Sequence, residues 1–357
     1  MQKTQTLSNV FVSVFSIAIT FMVIEVALRI VIPKDIVSSQ PLLISQSTYN
    51  LNFFDLNPNT SGTIYGKNFR INSSGFRGEE FDQKAPIKNN RIAVMGDSIA
   101  FGYGVSDDET FPYLLEKVLR KDKHNDEVLN FGVWGYNYKN YFPTLSKKIF
   151  LFKPNVLLWQ LSMNDVISED DIPRGQSLLD ILFYHFRNGF IRLRNHSLLI
   201  QWVNPMIRMI LYNVLTKIDP HQKIIIGENL RDLDYYRTNG SGWVQGKQEI
   251  LKVREFCKAN NIELMIVIFP ITLKLDEHYP YVDYHDVVKK FCSQNQINFV
   301  DLYTALKGKD LSKHRINWID HHPDGEVYQW TAQAIFEHLK QISRENPTEK
   351  LTYANAL

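Results

Sequence analysis

RIAVMGDS, residues 91–98, is the stretch on which the reading of this chain turns. Arg91–Met95 is short and apolar, and it runs straight into Gly96, as a strand buried on both faces does. Four further runs share that character: EVLNF (127–131), NVLLWQL (155–161), IELMIVIF (262–269) and INFVD (297–301). ETFPYLLEKVLRKD (109–122) carries apolar residues at helical spacing, and further helical stretches fall near 138–149, 244–260, 283–294 and 325–343. Alternation of this kind predicts an α/β fold: a three-layer α/β/α sandwich whose central parallel sheet is covered by helices on both faces.

Composition narrows the function classes. The 357 residues hold 40 Lys+Arg against 38 Asp+Glu, a formal net charge of +2, with 44% hydrophobic and 22% charged residues. That balance describes a globular chain rather than a disordered one. It gives no whole-molecule electrostatic grip on nucleic acid. GYGV at 102–105 lacks the Lys-Ser/Thr that completes a phosphate-cradling loop. Cys257 and Cys292 are too few for a disulfide scaffold and form no Cys-x-x-Cys pair, which leaves one disulfide between them open.

The N-terminus has a separate character. VFVSVFSIAITFMVI (10–24) is free of charge, and the apolar run continues to Ile32, where Pro33 stops a helix. As a helix, 10–32 rises roughly 35 Å, enough for a hydrocarbon layer of roughly 30 Å. Glu25 and Arg29 stand one turn apart and can pair. No small-x-small cleavage site comes after the run, so the reading is a signal anchor, with a buried soluble helix as the plain alternative. Positive charge on both flanks casts no vote on orientation.

The chain therefore divides into a tail (1–9), a membrane span (10–32), a linker and lead-in rich in Asn, Ser, Pro and Gly (33–90), an α/β domain (91–345) and a C-terminal tail (346–357). Residues 168–240 interrupt the α/β rhythm. Their apolar core is studded with Arg187, Arg192, Arg194 and Arg208, and Pro205 spoils a second span. A helical cap over the sheet is expected there; a basic amphipathic surface on the bilayer is the alternative, and a lid over an acyl groove is compatible with either.

Residues able to do chemistry fall at strand ends. In a parallel α/β sheet, ligands bind at the carboxyl ends of the strands. Ser98 lies just past the first strand, where backbone N–H groups can meet an oxyanion; its plain role would be a helix cap. A serine hydroxyl needs a base. Asp320-His321-His322-Pro323, ahead of the last helix, offers His322 with Asp320 as its orienter; a metal cluster or solvated loop residues are the alternatives. Gly135, in the NFGVWGYN stretch (130–137), can bring its N–H close to a substrate. Asn164, after the third strand, can donate from its amide. The alternatives are a tight turn and a helix cap.

Taken in order, Gly96-Asp97-Ser98, Asn130–Gly135, Ser162-Met163-Asn164-Asp165 and Asp320–Pro323 resemble the blocks of the SGNH (GDSL-type) hydrolase family, over about residues 70–342. The resemblance implies a flavodoxin-like three-layer fold. It implies Ser98 as nucleophile, His322 as base and Asp320 as its orienter. The oxyanion donors it implies are the N–H groups of Ser98 and Gly135 and the amide of Asn164. It implies no cofactor and no metal. Glu25–Arg29 and Asn72–Gly78 resemble features of a membrane-anchored bacterial subgroup. Two departures stand out: Ser162 replaces a block glycine, and the acid–base spacing is Asp-x-His rather than Asp-x-x-His. Asp324 is the reserve acid.

By its function, the family resemblance implies a single-pass membrane serine esterase whose catalytic domain faces outward. It would cleave acyl, including O-acetyl, esters of a small molecule, glycan or lipid, with no nucleic-acid partner. The same serine would serve an O-acyltransferase acting on polysaccharide. A catalytically weak envelope binding component is the reading from a different class.

Overall fold

The computed structural model of the chain describes residues 2–31, 44–46, 54–82, 91–122, 126–166, 236–272, 275, 279–309, 311–316 and 320–345. The chain divides into two compact units, and α1 (Gln2–Val31) belongs to the first. This helix carries one window, Phe11–Leu28, long and apolar enough to cross a membrane, with mean hydropathy 2.3 and none of it buried. It ends two residues before Pro33, whose ring disfavours helix in the residue preceding it. Residues 2–9, expected as a tail, continue the helix.

The second unit begins with two hairpins. β1 (Ile44–Gln46) pairs antiparallel with β2 (Phe54–Leu56), and β3 (Thr60–Ile64) with β4 (Lys67–Ile71). Next in the chain come β5 (Arg91–Gly96), the single turn α2 (Ser98–Phe101), α3 (Phe111–Lys121), β6 (Glu127–Gly132), α4 (Tyr138–Lys147), β7 (Val156–Leu161), α5 (Ser241–Ala259), β8 (Glu263–Ile268), α6 (Val282–Gln294), β9 (Asn298–Asp301), α7 (Leu302–Leu306) and α8 (Gly325–Glu345). The five strands predicted from the apolar runs are all present, in one parallel sheet of order β6-β5-β7-β8-β9.

Strand order dictates the layers. The crossover from β5 to β6 moves one way along the sheet, and every later crossover moves the other way. Right-handed connections therefore put α3 on one face and α4, α5 and α6 on the opposite face. The packing of α3 against α8, and of α4 against α5, agrees with that division. The central strands β5 and β7 are buried at every position, as an apolar run covered on both faces should be. Cys257 and Cys292 are both buried free thiols, which burial pushes up to about 12, and they form no disulfide.

The reversal of direction at β5 also opens the crevice where such sheets bind ligands, outside the carboxyl ends of β5 and its neighbours. Gly132, ending β6, lies so close to α2 that a Cβ there would overlap the Phe101 backbone nitrogen. The serine-bearing turn is thus pressed directly onto the neighbouring strand.

The lead-in is more structured than a linker. Leu56, Ile64, Phe69, Ile71 and Phe76 join the same buried core as the sheet. Phe76 packs edge-on against Phe131 at 4.7 Å, and Phe69 against Phe101 at 5.8 Å. Alternate apolar positions in KNFRI explain this: one face of a short strand is enough to bury Phe69 and Ile71. Arg77, only 1% exposed, completes the attachment. Its guanidinium donates to the carbonyls of Phe101 (3.0 Å), Gly102 (2.5 Å) and Val105 (2.6 Å), pairs with Asp107 at 2.7 Å, and lies over the Phe101 ring. The expected insertion at 168–240 falls outside the described residues up to 235, as does the tail 346–357.

Arg77→Leu would take a donor from the carbonyls of Phe101, Gly102 and Val105 at the end of α2 and in the loop after it, and would leave Asp107 without its guanidinium. A loss of about 3 kcal/mol is expected, read as a lowered urea midpoint with an unchanged slope.

Candidate active site

β5 delivers its last residue, Gly96, to the carboxyl edge of the sheet, and Asp97 then caps α2 by accepting from the Ile99 N–H at 2.9 Å. Ser98 is the first residue of that turn, half-buried at the mouth of the crevice. Gly102, in the left-handed region at φ +83°, ends the turn after four residues. Beneath it, Gln160 of β7 accepts from the N–H groups of Asp97 and Ala100, each at 3.2 Å. The serine is thus held from the strand on one side and from the loop clamped by Arg77 on the other.

The loop before α8 supplies the imidazole that meets Ser98. Its shape is set by three bonds: the Ile316 N–H donates to the His322 carbonyl (3.0 Å), the Thr272 hydroxyl to the His321 carbonyl (3.0 Å), and the His322 N–H to Asp320 Oδ1 (3.0 Å). His322 Nε2 lies 2.8 Å from Ser98 Oγ, and Nδ1 lies 2.5 Å from Asp320 Oδ1. With the Nδ1 proton donated to the carboxylate, Nε2 is the acceptor for the serine hydroxyl proton. Burial pushes the Asp320 carboxyl up. Hydrogen bonds from the His322 ring and backbone, the His322 charge and the Tyr65 hydroxyl outweigh it and hold the group below its usual range.

The neighbouring candidates point elsewhere. His321 is exposed, and its Nδ1 meets Arg315 at 3.3 Å; burial and that cation lower its pKa. Asp324 accepts from the N–H groups of Glu326 and Val327 at the start of α8 and pairs with His314 at 3.1 Å. Among the described residues no group of His, Cys, Asp and Glu is arranged to hold a metal ion.

Gly135 and Asn164 come after β6 and β7, the two strands flanking β5, and both are exposed at the carboxyl edge of the sheet. Gly135 takes φ +81° in a turn closed by the Tyr136 N–H on the Val133 carbonyl. Asn164 lies in a single 3₁₀ turn, Met163–Val166.

Ser162, where the resembled block has glycine, has a definite task. Its hydroxyl accepts from Gln160 Nε2 at 2.7 Å and donates to Asp97, while its N–H donates to Asp165 Oδ2 at 2.7 Å. The Tyr141 hydroxyl donates to the other Asp165 oxygen at 2.7 Å. Burial pushes both carboxyls up, Asp165 especially, because Asp97 adds a like charge; the bonds to each of them partly offset this. The Ser98 turn therefore rests on a polar network as well as on the apolar packing of Ala100 and Phe101.

Sequence reasoning passed over Tyr65, Tyr103 and Gln160. The Tyr103 ring lies 5.0 Å from the His322 ring, and Tyr65 stands edge-on to Tyr103 at 6.3 Å. An aromatic residue in a polar loop carries no spacing signal. Gln160, inside an apolar strand, was the one legible anomaly, since a buried amide needs partners.

Among known families, the profile of the GDSL-like lipase/acylhydrolase family matches residues 94–330. Similar solved structures include esterase EstA from Pseudoalteromonas sp. (11% identity, 72% of this chain and 100% of that one, TM-score 0.42). A catalytic mutant of the acetylxylan esterase Axe2 from Geobacillus stearothermophilus is similar at 14% identity, over 70% and 93%, with TM-score 0.41. The lipase Lip_vut3 from a goat rumen metagenome is similar at 12% identity, over 70% and 97%, with TM-score 0.43. No protein of curated function matches the chain in sequence. A family match across about two thirds of the chain, over a parallel sheet with helices on both faces, makes the chain a member of the GDSL-like lipase/acylhydrolase family and a hydrolase of ester bonds.

Proposed function

We propose that the chain is a membrane-anchored serine esterase in which Ser98 is the nucleophile, His322 the general base and Asp320 the residue that orients it. The observation that carries this reading is the unbroken run of contacts from Ser98 Oγ through the His322 ring to Asp320. Ser98 Oγ attacks the acyl carbonyl as its proton passes to Nε2, forming a tetrahedral oxyanion. Collapse of that intermediate releases the alcohol, which takes the proton from His322. Water then attacks the acyl-serine, giving up its proton to the same nitrogen; the free acid leaves as the C–Oγ bond breaks and Ser98 Oγ takes that proton back. The N–H groups of Ser98 and Gly135 and the Asn164 amide are the donors assigned to the oxyanion.

The substrate proposed is a short acyl ester, such as an acetyl ester, of a polar, hydroxyl-rich alcohol of the glycan kind. A groove of about 790 Å³, lined by Tyr65, Lys67, Glu109, Gln329, Trp330 and Gln333 among others, opens against the start of α8; Ser98, His322 and Asp320 are not part of its lining. Amides and carboxylates suit sugar hydroxyls, and a half-buried indole suits a sugar face. The domain proposed to carry this activity is 91–345, with the hairpin of 54–82 as an integral part. Helix α1 is assigned as a single-pass anchor that leaves the domain on the extracytoplasmic side. In whole cells, a C-terminal alkaline phosphatase fusion should be active and a C-terminal green fluorescent fusion dark; the reverse pattern would place the domain inside.

Ser98→Ala should abolish turnover of p-nitrophenyl acetate and labelling by a fluorophosphonate while leaving the melting temperature in place. Wild-type turnover in that variant would sink the assignment. Product analysis on an acetylated glycan should find free acetate; acetyl moved onto a second sugar would instead make the enzyme a transferase. Asn164→Ala should slow turnover by roughly 100- to 1000-fold, the usual cost of one oxyanion donor.

Stability should also respond to pH through Asp320. Its folded value lies below its unfolded one, so the bonded carboxylate adds stability above the ordinary carboxylate range and loses it as pH falls through the folded value. In urea unfolding, wild type and Asp320→Asn should differ near neutrality and converge well below that range.

A further inference from the structure

We propose that His314 is a positioning residue for ester hydrolysis: bonded to Asp324, it closes a clasp, 314–316 against 322–324, that holds His322 toward Ser98. This rests on the assignment of Ser98, His322 and Asp320 made above, and it adds a residue outside that relay.

Three successive pairs define the clasp. His314 Nδ1 lies 3.1 Å from Asp324 Oδ2, Arg315 and Pro323 form an antiparallel bridge, and the Ile316 N–H donates to the His322 carbonyl at 3.0 Å. Each step forward on one arm is a step back on the other, which is the register of an antiparallel pair. Pro323 has no N–H to give, so the middle pair cannot carry a full ladder. The side-chain bond at one end and the backbone bond at the other therefore hold the two arms together.

The two ends of the clasp are fixed to different parts of the fold. Asp324 spends Oδ1 on the N–H groups of Glu326 and Val327 at the start of α8, which leaves Oδ2 for His314. A carboxylate only accepts, so Nδ1 carries the proton, and the bond survives whether the imidazole is neutral or charged. Glu326 Oε2 stands 3.6 Å from the same nitrogen. The His314 N–H donates to the carbonyl of buried Leu311 at 3.1 Å, and its ring lies edge-on to Trp330 of α8 at 5.1 Å. At the other end, Ile316 packs over Gly104: a Cβ on that glycine would lie 2.7 Å from Ile316 Cγ1. Gly104 belongs to the loop after α2 that Arg77 grips. The arm of 314–316 thus runs from the helix that follows the imidazole to the loop that follows the serine. A shift of this arm changes the approach of His322 Nε2 to Ser98 Oγ, a contact of 2.8 Å on which proton transfer depends.

The test uses the full chain and p-nitrophenyl acetate, with rates expressed per serine labelled at completion by a fluorophosphonate. His314→Leu removes the donor. We expect kcat to fall about 10-fold with KM within about twofold, because the lost bond acts on alignment in the transition state rather than on substrate binding. His314→Asn puts an amide N–H near the place of Nδ1. It should recover kcat to within about twofold of wild type, although the ring contact with Trp330 is gone. Asp324→Ser keeps a helix cap on a side chain too short to reach His314. It should match His314→Leu, and the double variant should be no slower than either. Where His314→Leu fails to fold, Asp324→Ser makes the same test. A residue that served stability alone would lower the melting temperature and leave kcat per labelled serine unchanged.

Wild-type kcat per labelled serine in His314→Leu or in Asp324→Ser overturns the proposal. So does a His314→Asn variant as slow as His314→Leu, which would assign the effect to the ring against Trp330. A double variant slowed by the product of the two single losses overturns it as well. If His322→Ala turns over substrate at the wild-type rate, the triad assignment fails and this inference falls with it. If His322→Ala is inactive and His314→Leu is not impaired, only the inference fails.

Discussion

A contact of 2.8 Å joins positions 224 residues apart, and the rest of the domain can be understood as what keeps it in place. Neither partner can find the other through local structure. Ser98 is fixed by the end of β5, and β5 is fixed by pairing with β6 on one side and β7 on the other. His322 is fixed by the loop ahead of α8, and α8 is fixed by packing along α3, the next long helix after the serine turn. Helices α3 and α8 occupy the face opposite to α4, α5 and α6 only because the strand order reverses at β5. The same reversal opens the crevice at the serine, so one topological feature both creates the site and aligns its two halves.

The polar layer under the serine serves the same contact at a cost. Burying Asp97 and Asp165 near each other is unfavourable, and their raised pKa values express it. The arrangement holds because each carboxylate has several donors and Ser162 serves both. A glycine at 162 would leave Asp97 and Gln160 each without one partner, so the departure from the family block is compensated locally rather than being a defect of the site. Polar support of this kind fixes direction more narrowly than apolar packing does, since a hydrogen bond loses strength with angle as well as distance. A serine hydroxyl held against one imidazole nitrogen benefits from that restriction.

Much of this was legible in the chain. The five buried strands announced themselves because strands covered on both faces are continuous apolar runs, and Ser98, His322 and Asp320 stood out because they fall at strand ends or in the last loop. What the sequence did not carry is why His322 and not His321 faces the serine: adjacent histidines differ in which way the loop turns them, and that depends on bonds from Ile316 and Thr272. The lead-in misled for a related reason. Its Asn, Ser and Gly are real turn formers, but Asn72 uses its side chain to shape the 72–76 turn, accepting from the N–H groups of Ser74 and Phe76. A segment can be loop-like in composition and still be rigid when its polar side chains bond to its own backbone.

Residue types alone do not make a catalytic relay, and the chain contains its own counterexample. His285 is fully buried, with Nδ1 at 2.7 Å from Asp301 and Nε2 at 3.1 Å from the Tyr279 hydroxyl. Asp301 even resembles Asp320 electrostatically: burial pushes it up, and bonds from His285 and the Tyr303 N–H, with the charge of Lys289, hold it below the usual range. The difference lies at the far end of the imidazole. There the ring meets a phenol that burial holds protonated and whose oxygen already accepts from the Ile271 N–H. No substrate carbonyl could approach it. At His322 the ring meets a half-exposed primary alcohol at the carboxyl edge of the sheet. Two acid–imidazole pairs of similar geometry thus separate into one that braces the β8–β9 side of the fold and one whose far nitrogen meets a half-exposed serine hydroxyl. What separates them is access at Nε2, a property of the strand end and not of the triad of residue types.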